Sequence, residues 1–349
     1  MQCHTEGVEL WYDVDDKGLR RRGRWHRREQ VQRLARQDSE RNSGLDSVLQ
    51  PVTFCGRALK AVVDVRVHKG RAYAADLMTC GKIWTCPTCS TRIRARRELE
   101  LAEVTAFHVA RGGTLAMITL TVRHKNEMGL SETLGALTGS WQLMTNRSAW
   151  RRLRGKLDGF VRAVEITHGV NGWHPHDHVL LFVKPGVSIE AAQQFNGELS
   201  TTWIEAARKA LKIAPSMERG FDFQFFGTDS AAAAAYVTKA AKELTFADSK
   251  SGRDPFALLD DPTETNLDLF MEYARVTHRR KAISWSRGLR AYGGLDVEQT
   301  DEELAGENEV VGVYVATIDR ELWNVLDTQG RLHWLEFFEL QWQLGLVPI

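Results

Sequence analysis

The chain has 349 residues, 43% hydrophobic and 26% charged, which excludes wholesale disorder and supplies enough apolar side chain for two modest domains or one domain with appendages. No apolar run reaches membrane-spanning length and the N-terminus has no signal-peptide core, so a cytoplasmic location without a membrane partner is expected. The formal net charge of +1 hides a division: the segment from Ala291 onward has twelve acidic and two basic residues, leaving a surplus of eleven positive charges before it. A basic body of this kind suits a polyanion partner, and the acidic end lies away from the binding face or competes for it.

Residues 1–50 are dominated by LRRRGRWHRREQVQRLARQ, with arginines at positions 20, 21, 22, 24, 27, 28, 33 and 36 in proline-free sequence. Trp25, Val31 and Leu34 are too few for a strong amphipathic stripe. The stretch has helical composition, so a basic helix or arm that folds against phosphates is expected, unfolded in the free protein.

Residues 51–104 read as a metal module. Cys55 is followed by Cys80, Cys86 and Cys89 in CGKIWTCPTC. Disulfides do not suit a cytoplasmic chain, whereas thiolates in CxxC spacing, with a third just ahead and a fourth on an earlier turn, can wrap a tetrahedral Zn²⁺. His68, or Cys3 with His4, competes with Cys55 for the fourth position. STRIRARRELELAEV then begins a helix with Arg92, Arg94, Arg96 and Arg97 in its first turns, so the module presents an arginine-rich helix suited to DNA.

Gly112 and Gly113 break the chain before TLAMITLTVRH, residues 114–124, whose β-branched content predicts a buried central strand ending at Arg123 and His124. A helix is expected from an N-cap at Ser131 through SWQLMTNRSAWRRL. A second basic patch of Arg147, Arg151, Arg152, Arg154 and Lys156 interleaves with Trp141 and Trp150, which fit a core more readily than a base-stacking platform.

The next stretch is the most informative. FVRAVEIT, residues 160–167, and WHPHDHVLLFV, residues 173–183, read as two strands joined by a Gly/Asn reversal at His168 to Gly172. Alternation places His174, His176 and His178 on one side of the second strand, with Val179, Leu181 and Val183 on the other. Pairing about the turn sets Glu165 opposite His176. One carboxylate facing two or three imidazoles is a divalent-cation site with positions left for substrate oxygens. The plainer alternative is a His-rich surface strand.

Ser188 is expected to cap a helix running to about Lys212, and FDFQFF, residues 221–226, to return the chain to the sheet. In TDSAAAAAYVTKAAKEL, Asp229 or Ser230 caps a helix on which Tyr236 and Lys239 stand one turn apart, with alanines that leave room for a substrate strand. Taken alone, Tyr236 is better explained as packing. Residues 245–263 read as a loop with a short helix, Asn266 to Arg279 as an amphipathic helix, and RRKAISWSRGLR as a further basic and aromatic segment. VVGVYVATI and RELWNVL predict a strand and a helix in a small acidic C-terminal appendage over residues 291–349.

Four of these blocks resemble the replication initiators of rolling-circle plasmids, the actinobacterial type in particular, within the HUH endonuclease superfamily. They are CGKIWTCPTC with RIRARR behind it, ITLTVRH as the first initiator motif, HPHDHVLLF as the HUH motif and AAYVTKAAKE as the tyrosine motif. The similarity runs from about Cys55 to Arg290, and EYARVTHRRKAISWSRGLR is similar to the region after the nuclease core. Histidines before tyrosine is the initiator order.

The resemblance implies an α+β HUH endonuclease fold over residues 105–290, a central antiparallel sheet flanked by helices, with the Cys₄ zinc module ahead of it. It implies Mg²⁺ or Mn²⁺ held by Glu165, His176 and His178, with His174 as a fourth ligand or behind them. Tyr236 is then the nucleophile, giving a 5′-phosphotyrosine and a free 3′-hydroxyl, and Lys239 compensates phosphate charge. Arg92, Arg94, Arg96, Arg97, Arg123, His124, Arg151 and Arg152 are the expected DNA contacts. The implied partners are plasmid origin DNA, single-stranded or extruded, a host helicase and a single-strand-binding protein.

Two positions depart from the pattern. Asp177 stands where the motif has a bulky hydrophobic residue, and a core carboxylate is costly unless paired. Ala232 stands where several relatives have a glutamate that activates water for the terminating cleavage. Competing readings are an HUH transposase or relaxase, a histidine-triad nucleotide hydrolase, for which HPHDHVL is a loose match, and a zinc-dependent DNA-binding regulator without chemistry.

Overall fold

A computed structural model describes residues 17–41, 47–226, 252–295, 297–306 and 311–346. In chain order these form α1 (Lys17–Arg41), β1 (Val62–His68), β2 (Arg71–Ala74), α2 (Pro87–Ala110), β3 (Thr114–Thr121), α3 (Leu130–Thr145), α4 (Ser148–Gly155), β4 (Leu157–Gly169) and β5 (Gly172–Val183). The chain continues with α5 (Ile189–Gln193), α6 (Asn196–Leu211), α7 (Met217–Gly220), β6 (Phe221–Phe226), α8 (Glu264–Thr277) and β7 (Ile283–Trp285). It ends with α9 (Leu289–Tyr292), α10 (Asp301–Gly306), β8 (Val313–Asp319), α11 (Arg320–Val325) and α12 (Thr328–Gln343). The strands make two antiparallel sheets, ordered β2-β1-β8 and β6-β3-β5-β4-β7. The α+β class read from the sequence holds.

The chain divides into two units. The first takes residues up to Ile93, Leu259–Leu267 and everything from Gln299, and the second takes Arg94–Leu258 and Asp268–Glu298.

In the first unit, β1 alternates so that Val63, Val65 and Val67 point into a core completed by Ala72, Ala74, Ile318, Trp323 and Leu335. A three-stranded sheet needs such a backing to persist, and helices from both chain ends supply it. Residues 291–349 therefore do not stand apart as an appendage: β8 pairs along β1, Val65 facing Ala316. Glu339, 6% exposed, accepts hydrogen bonds from Arg21 Nη1 at 3.0 Å, Arg71 Nη1 at 3.3 Å and the Ala72 amide at 3.1 Å. The expected unfolded arm is corrected over residues 17–41. There α1 buries Val31, Leu34 and Ala35, and Trp25 meets Trp323 edge-on at 6.4 Å. Its amphipathic stripe was obscured because a buried arginine, Arg28, stacks over Trp25 at 5.0 Å and occupies a core-facing position.

In the second unit β5 is central, bonded along its length to β3 on one side and β4 on the other. Both faces are covered, so Val179 to Val183 is an unbroken buried run. On the histidine face, Phe182 packs edge-on to His108 of α2 at 5.2 Å. On the reverse face, Phe160 meets Trp141 of α3 at 5.8 Å and Trp150 of α4 at 5.3 Å, so Trp150 is core and Trp141 packs half-buried beside it. Trp203 of α6 donates to the Thr121 carbonyl at 3.0 Å. The β4–β5 reversal is closed by Gly172 at φ +81°, a conformation glycine adopts without strain.

Helix boundaries differ locally from the expectation. Ser131 lies inside α3, whose first amide, Leu130 N, donates to Glu272 Oε1 at 2.6 Å, a long-range carboxylate replacing the local cap. Ser188 does cap, accepting from the Ala191 amide at 3.2 Å, but α5 ends at Gln193 and α6 starts afresh at Asn196.

Candidate active site

The β4–β5 register pairs Glu165 with His176 and Ala163 with His178, and β3 places Thr119 beside His178 on the other flank. Side-chain alternation then brings one carboxylate and two imidazoles together over the same sheet face. Glu165 Oε2 lies 2.7 Å from His176 Nε2 and 3.1 Å from His178 Nε2. Burial opposes a charge on Glu165, but hydrogen bonds from His176 and His178 outweigh it and bring its pKa down to about 2. The group is a carboxylate at neutral pH.

The geometry fits a small divalent cation. Neighbouring ligand atoms around an octahedral Mg²⁺ at 2.0–2.1 Å are about 3 Å apart, close to the spacings here. Glu165 Oε1 is buried without a hydrogen-bond partner among the described residues, leaving a second carboxylate oxygen for a cation or its water. Thr119 Oγ1 lies 3.3 Å from His178 Nδ1, which fixes the ring with Nε2 toward Glu165. Sequence reasoning missed Thr119, although its position in ITLTVRH puts it on the histidine face.

His174 continues the row without joining the cluster. Its ring is 5.2 Å from His176 and 5.0 Å from His124, so His124 is brought to the same edge of the site. Burial, then repulsion from His176 and His124, lowers the His174 pKa to about 4. Asp177 faces the other side of β5, fully buried, with Oδ2 2.8 Å from Arg162 Nη2. Arg162 in turn sits over the Trp141 ring at 5.2 Å. The departure from the hydrophobic pattern is thus matched by an arginine. Burial still raises the Asp177 pKa against the pull of Arg162.

The second constellation is made of Cys55, Cys80, Cys86 and Cys89, all buried. Their sulfurs are 3.6 Å (Cys55–Cys89 and Cys55–Cys86) and 3.7 Å (Cys80–Cys89) apart. A tetrahedral Zn²⁺ with sulfurs at about 2.3 Å requires edges of about 3.8 Å, whereas a disulfide needs sulfurs about 2.05 Å apart. Cys55 is the fourth member; His68 is not in the cluster, and Cys3 and His4 lie outside the described residues. Four thiolates around Zn²⁺ leave a net negative charge, and the cations of Arg28 and Arg92 lie close enough to act on it.

Residues 72–321 match the family described as Replication protein. The chain belongs to that family. Relatives in it include the protein rep of Streptomyces lividans, 29% identical with 69% of each chain covered, and the protein rep of Streptococcus pneumoniae, 27% identical with 59% of this chain and 64% of that one covered. A neomycin resistance protein of Streptomyces cyanogenus is 33% identical over 35% of this chain and 34% of its own. These last two matches span less than two thirds of the relatives' lengths. No solved structure matches the chain significantly. The resemblance to rolling-circle plasmid initiators drawn from the motifs holds, and the matched range 72–321 spans Glu165, His176, His178, Cys80, Cys86 and Cys89.

The expected DNA contacts of this replication protein fall into distinct settings. Arg123 and Arg151 are exposed, and Arg152 is exposed but paired with Glu198. Arg94 and Arg96 are half-buried. Arg92 is withdrawn beside the cysteines, with burial lowering its pKa and Nη1 3.4 Å from the Ala305 carbonyl. Arg97 is corrected: it is buried, 3.0 Å from Glu100, and serves an internal ion pair. Helix periodicity turned one of the four arginines inward. Tyr236, Lys239 and Ala232 lie outside the described residues. Among the described residues no helix is long and apolar enough to cross a membrane.

Proposed function

We propose that this replication protein nicks plasmid origin DNA with Tyr236 as nucleophile, at a divalent cation held by Glu165, His176 and His178. The observation that carries the reading is the cluster of one ionised carboxylate and two imidazoles within 2.7–3.1 Å on a rigid central hairpin, in a member of the replication protein family. Bound there, Mg²⁺ or Mn²⁺ supplies positive charge to the scissile phosphate as negative charge grows on it. Glu165 contributes the negative ligand, Thr119 orients His178, and the paired strands keep the three groups preorganised.

The Tyr236 hydroxyl gives up its proton and its oxygen forms a bond to phosphorus. The bond from phosphorus to the 3′-oxygen breaks, and that oxygen takes up a proton. The products are a 5′-phosphotyrosine and a 3′-hydroxyl that primes synthesis. Lys239, three positions on in the sequence, offsets phosphate charge, and His124 with Arg123 meets the adjoining strand. Attack of a 3′-hydroxyl on the phosphotyrosine is the reverse step and rejoins the strand. Ala232 leaves no glutamate at that position to direct water instead. The cysteine module with its Zn²⁺ and the exposed arginines grip the origin, and a helicase and single-strand-binding protein of the host act on the opened duplex.

The test is Mn²⁺-dependent cleavage of a labelled single-stranded origin oligonucleotide by wild type and Tyr236→Phe, run on a denaturing protein gel. A covalent protein–DNA band is expected in wild type alone. A band that persists in the variant assigns another nucleophile, and binding without cleavage in wild type makes the protein a non-catalytic zinc-dependent regulator.

A further inference from the structure

A cleft of about 410 Å³ opens between α3 and α6, in the helical layer on the Phe160 side of the five-stranded sheet, away from the triad. Arg147, Arg208 and Lys209 line it against a single carboxylate, Glu205, and its floor is Leu143 and Ala206. Arg152 of α4 is paired with Glu198 and Arg162 of β4 with Asp177. The three cleft cations have no ion-pair partner among the described residues. Arg208 and Lys209 stand in the last turn of α6, where they also complement the helix C-terminus. That role explains neither Arg147, which comes from the α3–α4 junction, nor the concavity the three share.

Three like charges bordering one concave wall repel one another and focus a positive field, which an anion relieves. Among the described residues no aromatic side chain lines the cleft, so none of them stacks a base there as a single-strand binder does. The ligand class is therefore the phosphodiester backbone. We propose that this cleft seats a backbone phosphate of duplex DNA flanking the nick site, a sequence-independent anchor on the opposite side of the sheet from the chemistry. The proposal rests on origin DNA being the substrate. It does not depend on which group attacks the scissile phosphate.

The experiment compares full-length wild type, the triple variant Arg147→Ala/Arg208→Ala/Lys209→Ala, and Glu205→Gln. Binding of a duplex origin flank is measured by fluorescence anisotropy across a salt series, beside nicking of a short single-stranded origin oligonucleotide. Each backbone phosphate neutralised contributes roughly 0.9 to the slope of log affinity against log salt, so the triple variant, which empties a one-phosphate cleft, is expected to lose about 1 from that slope. Its duplex affinity should fall at least tenfold while oligonucleotide nicking stays at the wild-type rate. Glu205→Gln should tighten duplex binding.

An unchanged slope in a triple variant that melts like wild type overturns the proposal. Thermal stabilisation of wild type, but not of the variant, by inorganic phosphate at unchanged duplex slope also overturns it, and reassigns the cleft to a free anion. If the triple variant misfolds, Arg147→Ala and Glu205→Gln carry the test, with opposite shifts expected and parallel ones contradicting. Loss of slope with no nicking by wild type keeps the cleft and removes the nuclease reading.

Discussion

Burial and the adjacent rings of His176 and His124 hold His174 neutral, with a pKa of about 4 against 6.5 for a free imidazole. Between those values the unfolded chain binds the proton that the folded chain refuses. Folding stability from this residue is thus intact above pH 6.5 and declines as pH falls toward 4. His174→Gln should flatten that part of the stability profile, read as urea midpoints at pH 7 and pH 4.5. Parallel losses in both proteins would show that another group sets the profile. Asp177 invites a second test. Asp177→Ala strands the Arg162 guanidinium and should destabilise by on the order of 3 kcal/mol, whereas Asp177→Leu with Arg162→Met, which removes both charges, should recover most of it. A double variant as unstable as Asp177→Ala would show that the stranded guanidinium is not the source of the loss.

The β4–β5 hairpin is the element on which the site depends, and it was largely legible. Its turn residues fix the register and a period of two fixes the faces, so Glu165 opposite His176 followed from local geometry alone. Thr119 comes from β3, a strand distant in sequence, and its contact with His178 emerges only once the sheet is assembled. Thr119→Val should reduce affinity for Mn²⁺ about tenfold or more by calorimetry while leaving the fold intact; an unchanged affinity would deny it that orienting role. The cysteine spacing was equally readable, and so was the helical composition of α1, whereas its packing into the core was not. Its core face includes Arg28, and the residues that cover it, Trp323 and Leu335, lie some three hundred positions further on.

At the scale of the whole chain, the charge division has a structural use within the first unit. Glu339 and Glu336 of the acidic end pair with Arg21, Arg71 and Arg22 of the basic end. Part of the apparent basic surplus is consequently spent inside the protein and is not available to DNA. Truncation after Arg290 cuts α9 and removes α10, β8, α11 and α12. It should abolish cooperative melting of the cysteine unit and lower its zinc content, measured by calorimetry and metal analysis; a truncated chain that keeps its zinc and melts cooperatively would show that the C-terminal segment is dispensable. The role of Glu165, His176 and His178 is tested by the Mn²⁺ dependence of oligonucleotide cleavage by wild type and His178→Ala, with oligonucleotide binding followed in parallel. Equal DNA binding is expected, with cleavage that is lost, or needs at least tenfold more Mn²⁺, in the variant. Cleavage at wild-type rate and wild-type Mn²⁺ concentration would contradict that role.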